Sequence, residues 1–290
     1  AAMLAAPVLI AQNLADLSRQ IDSLAPDRGA QIKIAVTEWG PLFSGEPGHR
    51  FVDHVKTVGS ALLAASAMKA FLESPRTEVA CLFTLVDNAF LGWIGLRQGK
   101  FLPKAPYLAL QMYTRHFGST LVRSSATSPT YDSAPVGVVE GVRGVPYLDV
   151  VASRSDDGRT LYLMAINRNF DRPIRTSIEL QSFIPSKDGI AWTLTGTGID
   201  ANTGTELPFP EVMKWARQAE GESAARFYQG KPEEVQIVSA ALGGVAPTFE
   251  YTFPPHSVTS LELAAAGATL SRLPARSKGA DRSKGPTSPR

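Results

Sequence analysis

IKIAVTEWGPLF, from Ile32 to Phe43, is the stretch that decides how this chain is read. Ile32, Ile34 and Val36 alternate with polar or small residues, the period of a strand with one buried face. Gly40-Pro41 then breaks the chain. Between strand and break stand a carboxylate, Glu38, and an indole, Trp39. A buried carboxylate costs several kcal/mol unless it is paired or used. From the residues alone two explanations stay open. Glu38 is either a solvated loop or helix-capping acid, or a functional carboxylate at the strand's C-terminal end.

Outward from that stretch the chain alternates. Leu9, Ile10, Leu14, Leu17, Ile21 and Leu24 recur at helical spacing, which predicts a helix over 7–24 ended by Ala25-Pro26-Asp27. Phe51 to Leu72 is Ala-rich with a period near 3.6, a long helix with small residues for close packing, stopped by Ser74-Pro75-Arg76. Val79 to Val86 is a continuous apolar run, the mark of a strand buried on both faces, with Cys81 as a core thiol. Asp87 to Pro103, with Gly92, Gly95 and Gly99, reads as a loop. Tyr107 to Phe117 reads as a helix with Gly118 as its C-cap. Helix, strand, helix, strand, helix is the order of an α/β fold with parallel strands. Long helices and short connections fit the C-terminal part of a (β/α)8 TIM barrel over residues 1–118.

After Gly118 short alternating runs take over, among them LDVVASRS, TLYLMAINR, IAWTLTG and SVTSLEL. Turn signals such as Asp156-Asp157-Gly158 and Asn202-Thr203-Gly204 separate them. Eight or so such runs predict an antiparallel β-sandwich, jelly-roll-like, over 119–263. Leu121 to Leu263 is long enough to close a core of its own. Residues 264–290 have no apolar period and end in a basic tail, expected to be disordered.

The totals narrow the function classes. The formal net charge is +2, too small to suggest nucleic acid as a partner. No apolar run reaches the roughly 20 residues of a membrane helix. The single cysteine forms no internal disulfide, so it does not reveal a redox compartment. The first residues lack the basic start of a signal peptide, an initiator Met and a helix cap, so a fragment is expected, with localisation undefined.

The ordered segments resemble α-L-arabinofuranosidases of glycoside hydrolase family 51, within the clan A glycosidases. IKIAVTEWGPLF is similar to the family's nucleophile strand, where an acid followed by Trp closes the seventh barrel strand. KAPYLALQMYTRHFGSTLV is similar to its last barrel helix, and LYLMAINRNFDRPIRTSIEL to the strand carrying an Asn-rich turn. WTLTGTGIDANTGTELP and FEYTFPPHSVTSLEL resemble its later segments, so the likeness runs from Ile32 to Leu263. The chain also departs from the pattern. Gly40-Pro41 replaces the usual Asn after Glu-Trp, and the loop TLVDNAFLGWIG lacks the usual Gln. The Asn-Glu pair that carries the family's acid/base occurs nowhere in the chain.

The resemblance implies a retaining glycosidase acting on arabinose-containing oligosaccharides or polysaccharides, with Glu38 as nucleophile and the acid/base outside this chain. Such an enzyme uses two carboxyl groups about 5–5.5 Å apart. Trp39 either stacks on the sugar or packs under the loop. Asp87 and Asn88, after the next strand, are candidate sugar ligands, with a loop cap as the other reading of Asp87. Glu46 is a weaker carboxylate in a solvated turn. Trp93 is a candidate wall of the cleft. His49 and His54 are five apart and do not match the i, i+4 metal pair, so neither metal nor cofactor is expected. His116 lies near a helix C-terminus, and His256 reads as structural. Two alternatives remain: a related glycosidase of other specificity, such as a xylosidase or glucanase, and a non-catalytic β-sandwich module. Homo-oligomerisation of a longer parent is left open.

Overall fold

The computed structural model describes residues 1–41, 54–86, 92–97, 100–137, 139–202, 234–268 and 270. It opens with α1 (Ala2–Leu24), β1 (Ile34–Trp39), α2 (Val58–Glu73) and β2 (Thr77–Leu82). β1 and β2 pair in parallel, as the intervening helix requires. Thr57 caps α2, its Oγ1 accepting from the Ser60 N–H at 3.3 Å. A hairpin of β3 (Ile94–Arg97) and β4 (Lys100–Pro103) leads to α3 (Ala105–Arg115).

Among the described residues the remaining elements are all strands: β5 (Thr120–Val122), β6 (Thr130–Ser133), β7 (Val142–Pro146), β8 (Leu148–Arg154), β9 (Thr160–Asn167), β10 (Ile174–Glu179), β11 (Pro185–Gly196), β12 (Val235–Gly243), β13 (Thr248–Phe253) and β14 (Ser257–Ala265). Six of them form one antiparallel sheet in the order β12-β11-β14-β9-β8-β5. Strand alternation gives that sheet two apolar faces. Leu148, Ala165, Ala191, Leu261 and Leu263 pack against Ile178 of β10 and Phe249 and Phe253 of β13, which makes the sandwich. Val151, Met164, Ile166, Leu194 and Val258, one position along, pack against α2 and α3.

α2 is therefore covered from every side. Val58 to Met68 are buried in turn, including Ser60, Ala61, Ala64, Ala65, Ser66 and Ala67. A helix apolar all round belongs inside, and its small residues let both neighbours approach closely. One side meets the six-stranded sheet. The other puts Ala67 and Phe71 against Leu14 of α1 and Ile34 of β1.

Several sequence expectations change. The apolar run Val79 to Val86 is not buried on both faces: Val79 is 48% exposed and Phe83 51%. Cys81 is exposed rather than a core thiol. The cause is pairing: β2 has β1 as its sheet neighbour, and only one face of the pair lies against helices. The segment expected as a loop holds the antiparallel β3–β4 pair. α3 is capped by His116, not by Gly118. Gly118 is required by a close approach, because a Cβ there would lie 2.3 Å from the Arg154 carbonyl oxygen. β14 runs to Ala265, into the expected tail, and Ala265 and Ala266 donate to Arg159 and Ile184. Most of the remaining tail, residue 269 and 271–290, falls outside the described residues.

Candidate active site at the end of β1

Glu38 is the penultimate residue of β1, at the C-terminal end of a parallel pair, and its side chain is exposed. In parallel α/β folds that rim is where loops converge and where catalytic groups sit. Trp39 turns the other way. Its ring meets Phe71 edge-on at 5.1 Å and Trp93 edge-on at 5.5 Å. Edge-to-face pairs of this kind are preferred by the ring quadrupoles and fix ring orientation. Trp93 is fully buried. Its backbone is tied down as well, donating to Thr84 O at 3.2 Å and accepting from Lys104 N–H at 2.9 Å. Among the described residues neither indole N–H has a hydrogen-bond partner.

The backbone beyond the carboxylate is equally constrained. Phe83 N–H donates to Trp39 O at 2.8 Å, which locks the end of β1 to the exit of β2. A Cβ at Gly40 would lie 2.4 Å from Phe83 O. The β2 exit therefore crosses directly against residue 40 and leaves no room for a side chain there. Phe71 and Phe83 were not singled out from the sequence. Gly40 was read there as a chain break, and a glycine straight after a strand also signals close backbone approach.

The other candidates divide. Asp87 and Asn88, like Glu46 and His49, fall outside the described residues. His54 opens a single turn, His54–Lys56, before α2. His256 sits at φ +37 and its ring nitrogens face Phe170 O at 2.7 Å and Gly196 O at 3.1 Å, so it ties two turns together. The Asn-rich turn is of the same kind. Asn167 Nδ2 donates to Arg172, Phe253 and Pro254 carbonyls, and its Oδ1 accepts from Asn169 N–H. Among the described residues no group of three or more His, Cys, Asp or Glu is gathered to hold a metal ion. No described helix is long and apolar enough to cross a membrane.

Two polar clusters weld the strand-rich part to the helices. Arg168 is buried and donates to Asp149 Oδ2 at 2.9 Å, Ser66 Oγ at 3.0 Å and Pro146 O at 3.0 Å. Lys69 reaches Asp149 Oδ1 at 3.2 Å and Glu73 at 2.6 Å. Burial alone would raise the Asp149 carboxyl, but Arg168 and Lys69 together hold it below the usual carboxylate range. Tyr113 donates to Ala65 O at 2.8 Å, and its hydroxyl is pushed up chiefly by burial. In the second cluster His116, at the end of α3, pairs with Glu262 of β14 and stacks on Trp192 at 4.1 Å. A cavity of about 690 Å³ lies between Tyr131, Tyr147, Arg168, Phe170 and Arg175, beside Ala1. It borrows nothing from β1 or β2.

Comparison with known proteins agrees with this geometry. Residues 37–257 match the family described as the α-L-arabinofuranosidase C-terminal domain, a match that starts one residue before Glu38. The chain is 24% identical over 257 residues to a probable α-L-arabinofuranosidase C of Aspergillus terreus, covering 87% of this chain and 44% of that protein. Among solved structures it is similar to an α-L-arabinofuranosidase of Thermotoga maritima in complex with arabinose, with TM-score 0.69 and 21% identity, over 90% of this chain and 49% of the other. It is also similar to the GH51 arabinofuranosidase of Xanthomonas axonopodis pv. citri, with TM-score 0.61 and 18% identity, over 90% and 46%. The chain thus spans about half the length of the relatives it matches. With the family match covering most of its length, this chain belongs to the α-L-arabinofuranosidase C-terminal domain family.

Proposed function

We propose that this chain is the C-terminal half of a retaining glycoside hydrolase that releases terminal α-L-arabinofuranosyl residues, and that Glu38 is its nucleophile. The observation that carries the reading is the exposed carboxylate at the C-terminal end of a parallel strand, where the family match begins. α1, β1, α2, β2 and α3 are then the last part of the catalytic barrel. Its earlier strands would cover Val79, Phe83, Leu85 and Val86, which this chain leaves exposed.

Chemistry divides between the halves. Glu38, ionised, attacks the anomeric carbon and expels the leaving group, forming a glycosyl ester. A carboxylic acid from the preceding half protonates the leaving oxygen, then draws a proton from the water that releases the sugar. Asp87 and Asn88 follow β2 in sequence, toward the same rim, and are proposed as sugar-hydroxyl ligands. The 290 residues alone lack the acid and should not turn over. The test is a panel of aryl glycosides on the full-length gene product, with and without Glu38→Ala. Arabinofuranoside hydrolysis lost by several orders of magnitude in the variant supports the reading. A preference for xyloside or glucoside would move the specificity but keep the nucleophile. Unchanged rates in the variant would refute it.

A further inference from the structure

β1 does not end as a regular strand. Val36 pairs with Ala80 and Trp39 with Leu82, so Thr37 and Glu38 together stand against one residue, Cys81. Two residues against one is a β-bulge, a feature that bends a strand and re-aims a side chain. An opposite irregularity lies earlier, where β2 has the extra residue Glu78 between the partners of Ile34 and Ala35, so the two offsets cancel.

Side chains of an unbroken strand alternate between faces. Ile34, Val36 and residue 38 would then share the helix-facing side, and Thr37 and Trp39 the open side. The structure differs. Ile34 and Val36 pack with Trp39 in the cluster of Leu14, Ala67 and Phe71. Ala35, Thr37 and Glu38 are all exposed. Were the same residues paired one to one without the bulge, Glu38 would be driven toward Phe71 and the α1–α2 layer, at the desolvation cost of a buried carboxylate.

We propose that this one-residue bulge is the device that presents the Glu38 carboxylate, and that Trp39, held edge-on between Phe71 and Trp93, is a positioning residue that locks it. Trp39 is then not a sugar platform. The catalytic consequence rests on Glu38 being the nucleophile, whereas the geometry can be tested without activity.

The first test uses the 290-residue chain in a Cys81→Ser background carrying Val36→Cys, Thr37→Cys or Glu38→Cys, labelled with a small thiol reagent. Positions 37 and 38 should react alike. Both should react at least about tenfold faster than 36, the factor that about 1.4 kcal/mol of local opening imposes. A slow position 38, matching 36, is the regular-strand result and would overturn the proposal. Deleting Thr37 from the Glu38→Cys chain restores the register and should leave labelling fast, because position 38 then follows Val36 directly and alternates to the open side. If the deletion does not fold by circular dichroism, the three single-cysteine chains still decide.

The second test uses the full-length enzyme. Trp39→Ala should lower kcat about 100-fold, as small misplacements of reacting groups do, with KM nearly unchanged. Trp39→Phe should restore most of the rate. A raised KM with intact kcat would identify a sugar platform and sink the positioning role. Retained activity in Glu38→Ala would sink the nucleophile assignment but not the labelling pattern, so the two failures are distinguishable.

Discussion

His116 Nδ1 and Glu262 Oε1 meet at 2.8 Å, joining the end of α3 to the middle of β14. Ser260 Oγ donates to the His116 carbonyl at 2.6 Å on the same strand face. The helical and strand-rich parts therefore share a polar seam as well as an apolar core. His116→Ala leaves a mostly buried carboxylate without this partner and removes the stack on Trp192. It should cost about 1–3 kcal/mol of stability, read from denaturant unfolding with an unchanged slope. A variant as stable as the parent would show the seam to be incidental.

The Asp149 cluster gives the chain an acid limb. Its folded carboxyl titrates below the unfolded one. The stability it contributes is complete above the unfolded value of about 3.9 and is lost as pH falls through the lower folded value. The melting temperature should drop as pH falls below about 4. Asp149→Asn should flatten that drop. It should also destabilise the chain at neutral pH by about 3–5 kcal/mol, because Arg168 is left buried without its carboxylate. A neutral-pH stability equal to the parent's would contradict the assignment.

Residues 119–268 expressed alone should melt below the whole chain and bind a hydrophobic dye. Without α2 and α3 the second face of the six-stranded sheet, with Met164, Ile166, Leu194 and Val258, would be open to water. Equal melting temperatures and no dye binding would show that the sandwich closes on its own.

Gly40→Ala should be disproportionately harmful for a surface change. Its Cβ would collide with a backbone carbonyl rather than a movable side chain. A cost of about 1–3 kcal/mol is expected in this chain, with lost kcat in the full-length enzyme. A neutral substitution would mean that the β2 exit does not constrain the end of β1.

Much of this was legible in the sequence because it is periodic. The three helices, both parallel strands and most of the sandwich announce themselves by spacing, and Asp156-Asp157-Gly158 turns with Gly158 at φ +69. What periodicity misses is context. An apolar run such as Val79 to Val86 states that a strand is made to be covered, not that this chain covers it. The bulge at Thr37–Glu38 is a single-residue offset between two strands, and neither strand alone records it. Arg168 with Ser66 is a contact over 102 residues, invisible to any local pattern. Glu38 stands out in the sequence as a candidate by its place before a strand break, whereas the contact of its neighbour Trp39 with Phe71 joins segments that no local pattern connects.

The most direct measurement is azide rescue of Glu38→Ala in the full-length enzyme with an activated aryl arabinofuranoside. Removing the nucleophile leaves space at the strand end for a small anion, and an activated leaving group needs least help from the acid. Rate should return with azide concentration, and the product should be the glycosyl azide of inverted anomeric configuration. A glycosyl azide of retained configuration, or near-normal hydrolysis without azide, would show that Glu38 is not the nucleophile.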